Sequence, residues 1–521
     1  MKSLGAPLSH RRTLAAAGIV VALSAAGCAY AWDAQLIDDA FIFFRYAGNL
    51  VAGHGLVFNP GERVEGYTSL LWVVLLAGTT WAGIDPEFAS RAAGAVFATL
   101  AAVATMRLAP SDARDRPWWS RLVAPALLAV NPAWSLWAVH GLETALFTLC
   151  VTLAMAADLR ADDPVPAWTR RPAAWWGLAT LARPEGALLY AASAGLRAAR
   201  SPRRVRSRAA LASLATYGAI VGSHVLWRWA YYGSPLPNTF HAKVGLTPET
   251  LARGAVYLRE FFLDPGAMLF LLLVPAAIAA RRRPGLRYLF WMVAVGLAAT
   301  VIEGGDAFPA FRFVMPLLPA LYVLVQEGVC AIAESPRRWG AALAVTVALA
   351  AVHLRQAGTA ARAERDGANG FTGGMKLVGA VLRSRFPPDT LIALNPVGAI
   401  PYVTGFPTID MLGLTDAHIS RTAPRDFGSG QAGHEKGDGR YVLSRRPDII
   451  LLGNVLAVEH VPVPLSAFRW PVVHRSEREL ARQPDLERMY ERDSLPIGHG
   501  LHLLFLKRRG FPEDRGDTPE N

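Results

Sequence analysis

The 521-residue chain is 52% hydrophobic and only 18% charged, which is more apolar surface than a soluble core of this size needs to bury. Its formal net charge is +12, but the arginines stand in short clusters between apolar runs, so nucleic-acid binding is not indicated. The three cysteines all lie inside apolar runs, which excludes a disulfide framework. Composition therefore predicts a protein that buries its apolar surface in a lipid bilayer.

Nine apolar runs approach the length of about 20 residues that is needed to cross a bilayer. They are residues 14–31, 92–108, 122–138, 142–157, 209–231, 268–280, 286–302, 313–333 and 340–354. The first run follows Arg11 and Arg12 and resembles a cleavable signal peptide, with a faint lipidation signal at Cys28. We expect a retained helix instead, because the polar loop that follows it needs an anchor.

Arginine clusters predict which loops are cytoplasmic, since Lys and Arg concentrate on that side of the membrane. The clusters lie at residues 11–12, 107–121, 160–171, 197–208, 281–287 and 337–338. With all of them inside, the apolar stretch 69–84 cannot be a full crossing, and it is predicted to lie in the outer leaflet. Residues 173–199 must go out and return as two short helices that break at Pro184, with Arg183 and Glu185 at the tip.

The predicted architecture is a polytopic α-helical membrane domain followed by a soluble α/β domain. Residues 1–354 form about eleven transmembrane helices with a cytoplasmic N-terminus, and residues 32–91 are the first outward loop. Residues 355–521 form an extracytoplasmic domain that opens with a polar linker, 355–370. Strand-like runs at 390–395, 448–453 and 501–507 alternate with helix-like stretches in this domain.

Two acids, Asp38 and Asp39, open an aromatic-rich run in the first loop that ends near Gly53 and Gly55. The pattern predicts a helix that one Asp caps, a contribution of about 1 kcal/mol. A cap needs only one Asp, so the pair indicates a second role. A carboxylate at the membrane surface can act as general base on an acceptor hydroxyl while a sugar leaves a phosphate carrier. Asp38 is the predicted base, because Asp39 could then serve as cap or second ligand.

A departing phosphate needs cationic partners, for which the outward candidates are Arg45, Arg183, Lys243 and Arg312. An internal ion pair with Glu185 is the structural alternative for Arg183. The candidates for an acceptor contact or a second acidic site are Glu65, Glu143, His241 and Asp306. For these residues a solvated, turn or capping role is an open alternative. A divalent cation could bind among the outward acids, but their spacing does not establish one, so metal and cofactor stay unknown.

Two loops of the tail, residues 408–418 and 433–438, hold His and Asp side chains together. Metal binding requires ligands at tight spacing, which neither loop shows. A structural or glycan-contacting role is therefore the favoured interpretation.

The first loop resembles that of the GT-C membrane glycosyltransferases, and in particular the mycobacterial terminal arabinofuranosyltransferases and their bacterial homologues. The resemblance rests on the segments DDAF (38–41), GHGLVFNPGE (53–62), VEGYT (64–68), GSPLPNTFHAK (233–243), GGD (304–306) and FRF (311–313). It extends over most of the first 355 residues. It implies a GT-C fold, an outward cavity, a polyprenyl-phosphate sugar donor and a catalytic centre at the acidic pair.

The predicted function is transfer of a sugar, with arabinofuranose as one candidate, from a polyprenyl-phosphate donor. The acceptor is an envelope glycan, lipid or protein at the outer face of the cytoplasmic membrane. Two alternatives remain open: a non-catalytic GT-C-like envelope or motility protein, and a transporter or flippase. A transporter needs charged or broken helices along a pathway, and only the hairpin tip at 183–185 meets that condition.

Overall fold

The computed structural model describes residues 10–109, 118–160, 170–333, 336–424, 426–453, 455, 457–458, 474–498 and 500–512. Arg114 and Arg116 of one predicted cytoplasmic cluster lie outside these residues. The described chain has a long helical part and a smaller part that contains a β-sheet.

The helical part runs as far as residue 385. Its α-helices are α1 His10–Ala31, α2 Asp38–Val51, α3 Leu70–Trp81, α4 Pro86–Thr105, α5 Val123–Ala129, α6 Pro132–Val139, α7 Thr144–Arg160, α8 Arg170–Ala182, α9 Glu185–Arg200, α10 Arg208–Tyr232, α11 Asn238–Lys243, α12 Pro248–Leu263, α13 Leu273–Ala280, α14 Pro284–Ile302, α15 Leu318–Ile332 and α16 Pro336–Arg385. Short 3-10 helices join some of them, at Trp118–Leu122, Pro202–Arg204, Pro265–Leu272 and Arg312–Leu317.

Within the described ranges, 6 helices are long and apolar enough to cross a membrane, or up to 8 if two bent helix pairs each form one span. A polytopic helical membrane protein is thereby confirmed. The prediction of about eleven crossings also counts α7, α8 and α9, which have 17, 13 and 16 residues. At 1.5 Å per residue the shortest is about 20 Å long, less than the roughly 30 Å hydrocarbon core.

Two predictions drawn from the charge pattern agree with the helix boundaries. The hairpin between the basic clusters consists of α8 and α9, and it breaks at Arg183-Pro184 as expected. The apolar stretch 69–84 contains only α3, a helix of 12 residues. This helix is about 18 Å long and too short to span a bilayer.

The prediction of a polar linker at residues 355–370 is wrong. These residues continue α16, a single helix of 50 residues. The segment is polar and contains three Gly, but half of its residues are Ala or Arg, which are strong helix formers. The predicted domain boundary after residue 354 therefore falls inside a continuous helix.

The second part of the chain is built around a mixed sheet. Its strands are β1 Ile392–Leu394, β2 Thr408–Asp410, β3 Ile449–Ile450, β4 Ala457–Val458, β5 Tyr490–Gly498 and β6 Leu501–Arg508, and its helices are α17 Ala399–Thr404, α18 Ala417–Ser420, α19 Gly439–Ser444, α20 Arg475–Ala481 and α21 Leu486–Met489. The strand order is β2-β1-β3-β6-β4, with β5 paired to β6. β1 is parallel to β2 and β3, whereas β6 is antiparallel to its neighbours. The three predicted strand segments overlap β1, β3 and β6.

Candidate active site

The start of α2 is held against the turn between α6 and α7. The backbone N–H of Ile37 donates to the carbonyl of His140 at 3.3 Å, and Trp72 Nε1 donates to the carbonyl of Gly141 at 3.0 Å. Gly141 has a φ of +91°, and a Cβ there would lie 2.8 Å from that of Ala40. Backbone contacts therefore bring the acidic first turn of α2 next to residues 140–143.

Asp38 is buried and fully engaged with the sheet-containing part of the chain. Its carboxylate accepts hydrogen bonds from the backbone N–H groups of Gly398 at 3.0 Å and Ala399 at 2.8 Å. Burial raises the pKa of Asp38 to about 6, against the opposing effect of these two bonds. The predicted cap of α2 is absent, because no side chain caps this helix. The Asp38 carboxylate instead accepts the first backbone N–H groups of α17.

Asp39 follows Asp38 on the same helical turn but has a different environment. It lies about 100° further around α2, and it is partly exposed. Its carboxylate interacts electrostatically with Arg312 and Glu364, and with His434 of the sheet-containing part. The two adjacent acids thus face two different sets of partners.

Arg183 lies at the tip of the α8–α9 hairpin, among acids and aromatic rings. Its Nη2 is 2.6 Å from Glu185 Oε1, and its Nε is 3.8 Å from Glu143 Oε1. The guanidinium carbon lies 4.8 Å from the ring centre of Phe313. The ion pair anticipated as a structural alternative is present, and Glu143 shares the same arginine.

Arg312 begins a 3-10 helix and forms a bidentate pair with Asp306, at 2.8 and 3.2 Å. Its guanidinium lies 5.3 Å from the ring of Phe313, so the two arginines share one aromatic neighbour. Ala310 and Phe311 just before it have φ of 60° and 49°. Non-glycine residues rarely adopt this left-handed backbone, and such strain concentrates at functional sites.

Sequence reasoning missed two acids that complete this group. Glu364 on α16 is buried and interacts electrostatically with Asp306, Arg312 and Asp39. Glu303 interacts electrostatically with Glu185, Arg183 and Asp306. We call the whole group the arginine–acid cluster, and its members are Asp39, Glu143, Arg183, Glu185, Glu303, Asp306, Arg312 and Glu364. Helical continuity through 355–370 was the signal that would have revealed Glu364.

Burial affects the acids of this cluster that lie outside the membrane-spanning helices. It raises the pKa of Glu143, and Arg183 and Arg312 oppose this shift. The neighbouring His140 is also buried, which lowers its pKa to about 3, and its Nδ1 is 3.9 Å from Glu364. The imidazole is therefore neutral, so the arginines supply the positive charge of the cluster.

Arg45, a predicted phosphate ligand, lies away from the cluster. Its Nε donates to the carbonyl of Phe58 at 2.8 Å, and its Nη2 donates to the carbonyl of Phe406 at 2.7 Å. The Phe58 ring lies 4.4 Å from the guanidinium. Arg45 thus links the first loop to the sheet-containing part.

Glu65, a predicted acceptor contact, is buried in an ion pair with Arg228 of α10, at 2.6 Å. Burial raises the pKa of Glu65 to about 7, although Arg228 opposes this. Among the described residues its Oε1 has no hydrogen-bond partner. The structure does not bring Glu65 into the arginine–acid cluster.

Lys243 and His241 both lie on α11. Lys243 interacts electrostatically with His434, which also interacts with Asp39. His241 has a lowered pKa because of burial and because Arg421 and Lys436 are close. Lys243 is therefore linked to Asp39 of the cluster through His434, whereas His241 lies near cations of the sheet-containing part.

The His- and Asp-containing loops of the tail have internal partners. Asp410 accepts backbone hydrogen bonds from Leu412 at 2.9 Å and Thr415 at 2.7 Å. His418 Nε2 lies 2.9 Å from Asp438 Oδ2. In the part of the chain that the structure describes, no three or more His, Cys, Asp or Glu side chains form a group that could hold a metal. The structural interpretation of these loops is favoured.

The chain has the GT-C membrane glycosyltransferase fold. The structure of ArnT from Cupriavidus metallidurans bound to undecaprenyl phosphate matches with a TM-score of 0.62 and 13% identity, over 95% of this chain and 98% of that chain. The archaeal oligosaccharyltransferase AglB from Archaeoglobus fulgidus, in complex with an inhibitory peptide and a dolichol-phosphate, matches with a TM-score of 0.50 and 10% identity, over 76% and 64% of the two chains.

By sequence, the chain is distantly homologous to terminal β-(1→2)-arabinofuranosyltransferases. It is 32% identical to that of Mycobacterium tuberculosis over 317 residues, 57% of this chain and 49% of the relative. The relative from Corynebacterium glutamicum is 28% identical over 261 residues, 44% of this chain and 36% of the relative. The matches thus span about half or less of the relatives' length. Residues 365–492 match a family described as a domain of unknown function, DUF8728. The resemblance of the sequence to GT-C membrane glycosyltransferases and terminal arabinofuranosyltransferases is thereby confirmed.

Proposed function

We propose that this chain is a glycosyltransferase that moves a sugar from a polyprenyl-phosphate donor to an acceptor hydroxyl, with Asp39 as general base. The observation that carries the proposal is the contrast between the two adjacent acids. Asp38 is buried and accepts two backbone hydrogen bonds, whereas Asp39 is partly exposed beside Arg312. A general base needs a carboxylate that can reach the acceptor, and this favours Asp39 over Asp38.

Arg183 and Arg312 are the proposed ligands of the donor phosphate. Both guanidinium groups lie over the ring of Phe313, at 4.8 and 5.3 Å, so they converge on one place. Arginine binds phosphate through charge-assisted hydrogen bonds, and charged donors stabilise a leaving group most where water is scarce. Lys243 is a third candidate cation, because it interacts with His434, which also interacts with Asp39. Arg45 has no part in the proposal, because carbonyl groups occupy its N–H donors.

The remaining acids form the proposed surface for sugar hydroxyls. Glu143, Glu303 and Asp306 surround Arg183, and Glu364 lies near both Asp39 and Arg312. Carboxylates accept hydrogen bonds from hydroxyl groups, so such a surface favours a sugar over a second anion. Glu65 and His241, which have other partners, are left out of the proposed acceptor contacts.

In the proposed reaction, Asp39 takes the proton of the acceptor hydroxyl as its oxygen bonds to the anomeric carbon. The bond from that carbon to the phosphate oxygen breaks, and its electron pair stays on the polyprenyl phosphate. The transition state resembles an oxocarbenium ion. Arg183 and Arg312 stabilise the charge that develops on the departing phosphate.

Arabinofuranose is the proposed sugar, and an envelope glycan, lipid or protein is the proposed acceptor. The homology to terminal arabinofuranosyltransferases supports the sugar, and the undecaprenyl phosphate in the ArnT structure supports a lipid-linked donor. The proposed topology has about eleven crossings, the N-terminus in the cytoplasm, and the arginine–acid cluster and residues 355–521 outside. The clustering of arginines in the opposite loops supports this orientation.

A transfer assay tests the proposal. The purified full chain in lipid nanodiscs is given polyprenyl-phosphate arabinofuranose and an arabinan oligosaccharide, and products are measured by mass spectrometry. We expect Asp39→Asn to lower the rate by about 10³-fold, as for loss of a general base. Asp85→Asn is a matched control in the same loop, where Asp85 caps α4 at an exposed position. Full activity of Asp39→Asn would refute the assigned base, and absence of transfer by the wild-type chain would favour the non-catalytic alternative.

A further inference from the structure

We propose that Asp38 is a positioning residue, whose carboxylate fastens α2 to residues 398–399 and thereby sets the place of Asp39. This inference rests on the proposed function, since it concerns the orientation of the proposed base. It also gives a role to part of the region that matches a domain of unknown function. The contact joins positions 360 residues apart in the sequence.

The contact between Asp38 and Gly398 is so close that a side chain at position 398 would force α2 and residues 398–399 apart. A Cβ on Gly398 would lie 2.0 Å from the backbone oxygen of Asp38 and 2.5 Å from its Oδ2. Both carboxylate oxygens of Asp38 accept a backbone N–H from this segment. Buried N–H groups need an acceptor, so the segment and the carboxylate each satisfy the other.

Further contacts extend this attachment along one face of α2. Phe41 packs against Tyr402 with ring centres 5.5 Å apart, and Arg45 donates to the carbonyl of Phe406. Residues 38, 41 and 45 have the spacing i, i+3 and i+7, which places them on one side of a helix. This side of α2 is therefore occupied by residues 398–406.

Asp39 lies about 100° away from that side, and it interacts with Arg312 and Glu364. Any rotation of α2 that loosens the Asp38 contact would also move Asp39 relative to those charges. A catalytic group displaced by about 1 Å can lose about 10²-fold in rate. The two adjacent acids thus have different roles: Asp38 positions α2, and Asp39 is the proposed base.

Two substitutions test the attachment from its two ends. Asp38→Asn keeps the size of the side chain but replaces one acceptor oxygen by an NH₂ group. Gly398→Ala leaves the acid intact and adds the Cβ that collides with it. In the transfer assay we expect both to lower kcat by about 10- to 100-fold, with KM for the donor within about threefold. Gly48→Ala, also on α2, is the matched control, since its Cβ would meet no atom within 4 Å.

Backbone hydrogen exchange gives a readout that does not depend on activity. In Asp38→Asn we expect the peptide that contains residues 398 and 399 to exchange faster than in wild type, whereas in Asp39→Asn it should not. This measurement also decides the case if Gly398→Ala fails to fold. Unchanged exchange in Asp38→Asn, or unchanged kcat in the folded variants, would overturn the attachment.

The outcomes separate this inference from the proposed function. If Asp39→Asn is inactive while Asp38→Asn and Gly398→Ala retain full kcat, the positioning role fails and the proposed function stands. If Asp38→Asn is inactive while Gly398→Ala is fully active, Asp38 acts in the chemistry itself, which also contradicts the inference. If Asp39→Asn is fully active, the proposed function fails even where the exchange result supports the attachment.

Discussion

Two groups of buried charges lie near opposite ends of α7. One is the arginine–acid cluster around Glu143, and the other surrounds Asp158, about 22 Å further along the helix. The oxygens of Asp158 accept hydrogen bonds from Tyr288 at 2.7 Å, Ser193 at 2.6 Å and Trp176 at 3.0 Å. Arg197 completes this group with an ion pair. The Asp158 group therefore has one carboxylate, and four donors from α8, α9 and α14 satisfy it.

The arginine–acid cluster is composed differently. Arg183 by itself interacts with four acids, Glu143, Glu185, Glu303 and Asp306, and Arg312 shares Glu143 and Asp306 with it. Its acids outnumber its arginines, and Asp39 is partly exposed at its edge. Natural proteins depart from full mutual satisfaction of charges mainly at functional sites. The Asp158 group therefore fastens helices to one another, whereas the composition of the arginine–acid cluster supports the proposal that it binds the substrate.

Of the substitutions that distinguish the arginine–acid cluster from the Asp158 group, we expect Arg312→Lys to have the largest effect on the rate of transfer. Lysine keeps the charge but cannot form the bidentate pair with Asp306 or bind phosphate through two parallel donors. We expect kcat/KM for transfer to fall by about 10²- to 10³-fold, with the fold retained. Arg355→Lys, at an exposed position of α16, is the control. Equal rates in the two variants would remove Arg312 from the proposed donor site.

Asp158→Asn should act on stability instead of activity. The substitution removes the charge of a buried carboxylate that pairs with Arg197, and breaking a buried ion pair costs about 3 kcal/mol or more. We expect a lower melting temperature in detergent, while transfer per folded molecule stays within about twofold of wild type. A loss of specific activity as large as that of Arg312→Lys, at unchanged stability, would contradict the division between the two groups.

The buried ion pair of Glu65 and Arg228 lies outside both groups, and its contribution to stability can be tested by varying the pH. Because burial raises the pKa of Glu65 from 4.5 to about 7, the folded state holds this proton more tightly than the unfolded state. Its contribution to stability is complete below about pH 4.5 and is lost as the pH rises through about 7. We expect the stability of wild type relative to Glu65→Gln to fall by about 2 kcal/mol between pH 5 and pH 8. A difference that is constant with pH, measured by denaturation at several pH values, would show that Arg228 keeps Glu65 ionised throughout.

Local patterns in the sequence predicted much of the architecture and part of the site. Arginine clusters predicted the hairpin break at Pro184, and the strand-like runs of the tail each overlap a strand. The structure brings Asp39, Glu143, Arg183, Asp306 and Arg312 together, as expected for polar residues gathered at one end of the helices. Their placement could be predicted because each follows directly from a helix boundary.

The remaining features depend on contacts between distant parts of the chain. Nothing near Asp38 in the sequence indicates that Gly398 and Ala399 will satisfy its carboxylate, so the choice of Asp38 as base had no local evidence against it. The charges of Arg45 and Glu65 were visible, but their partners Phe406 and Arg228 were not. Glu364 was missed because a polar segment was interpreted as a linker, although its residues favour a helix.

The most direct test of the central claim is a structure of the full chain in nanodiscs with a polyprenyl phosphate bound, determined by electron cryomicroscopy. We predict that the phosphate oxygens lie at hydrogen-bonding distance, about 2.7–2.9 Å, from the guanidinium groups of Arg183 and Arg312, with Asp39 facing the phosphate across an open space for the sugar. A phosphate bound away from both arginines, with Asp39 facing protein on all sides, would contradict the account.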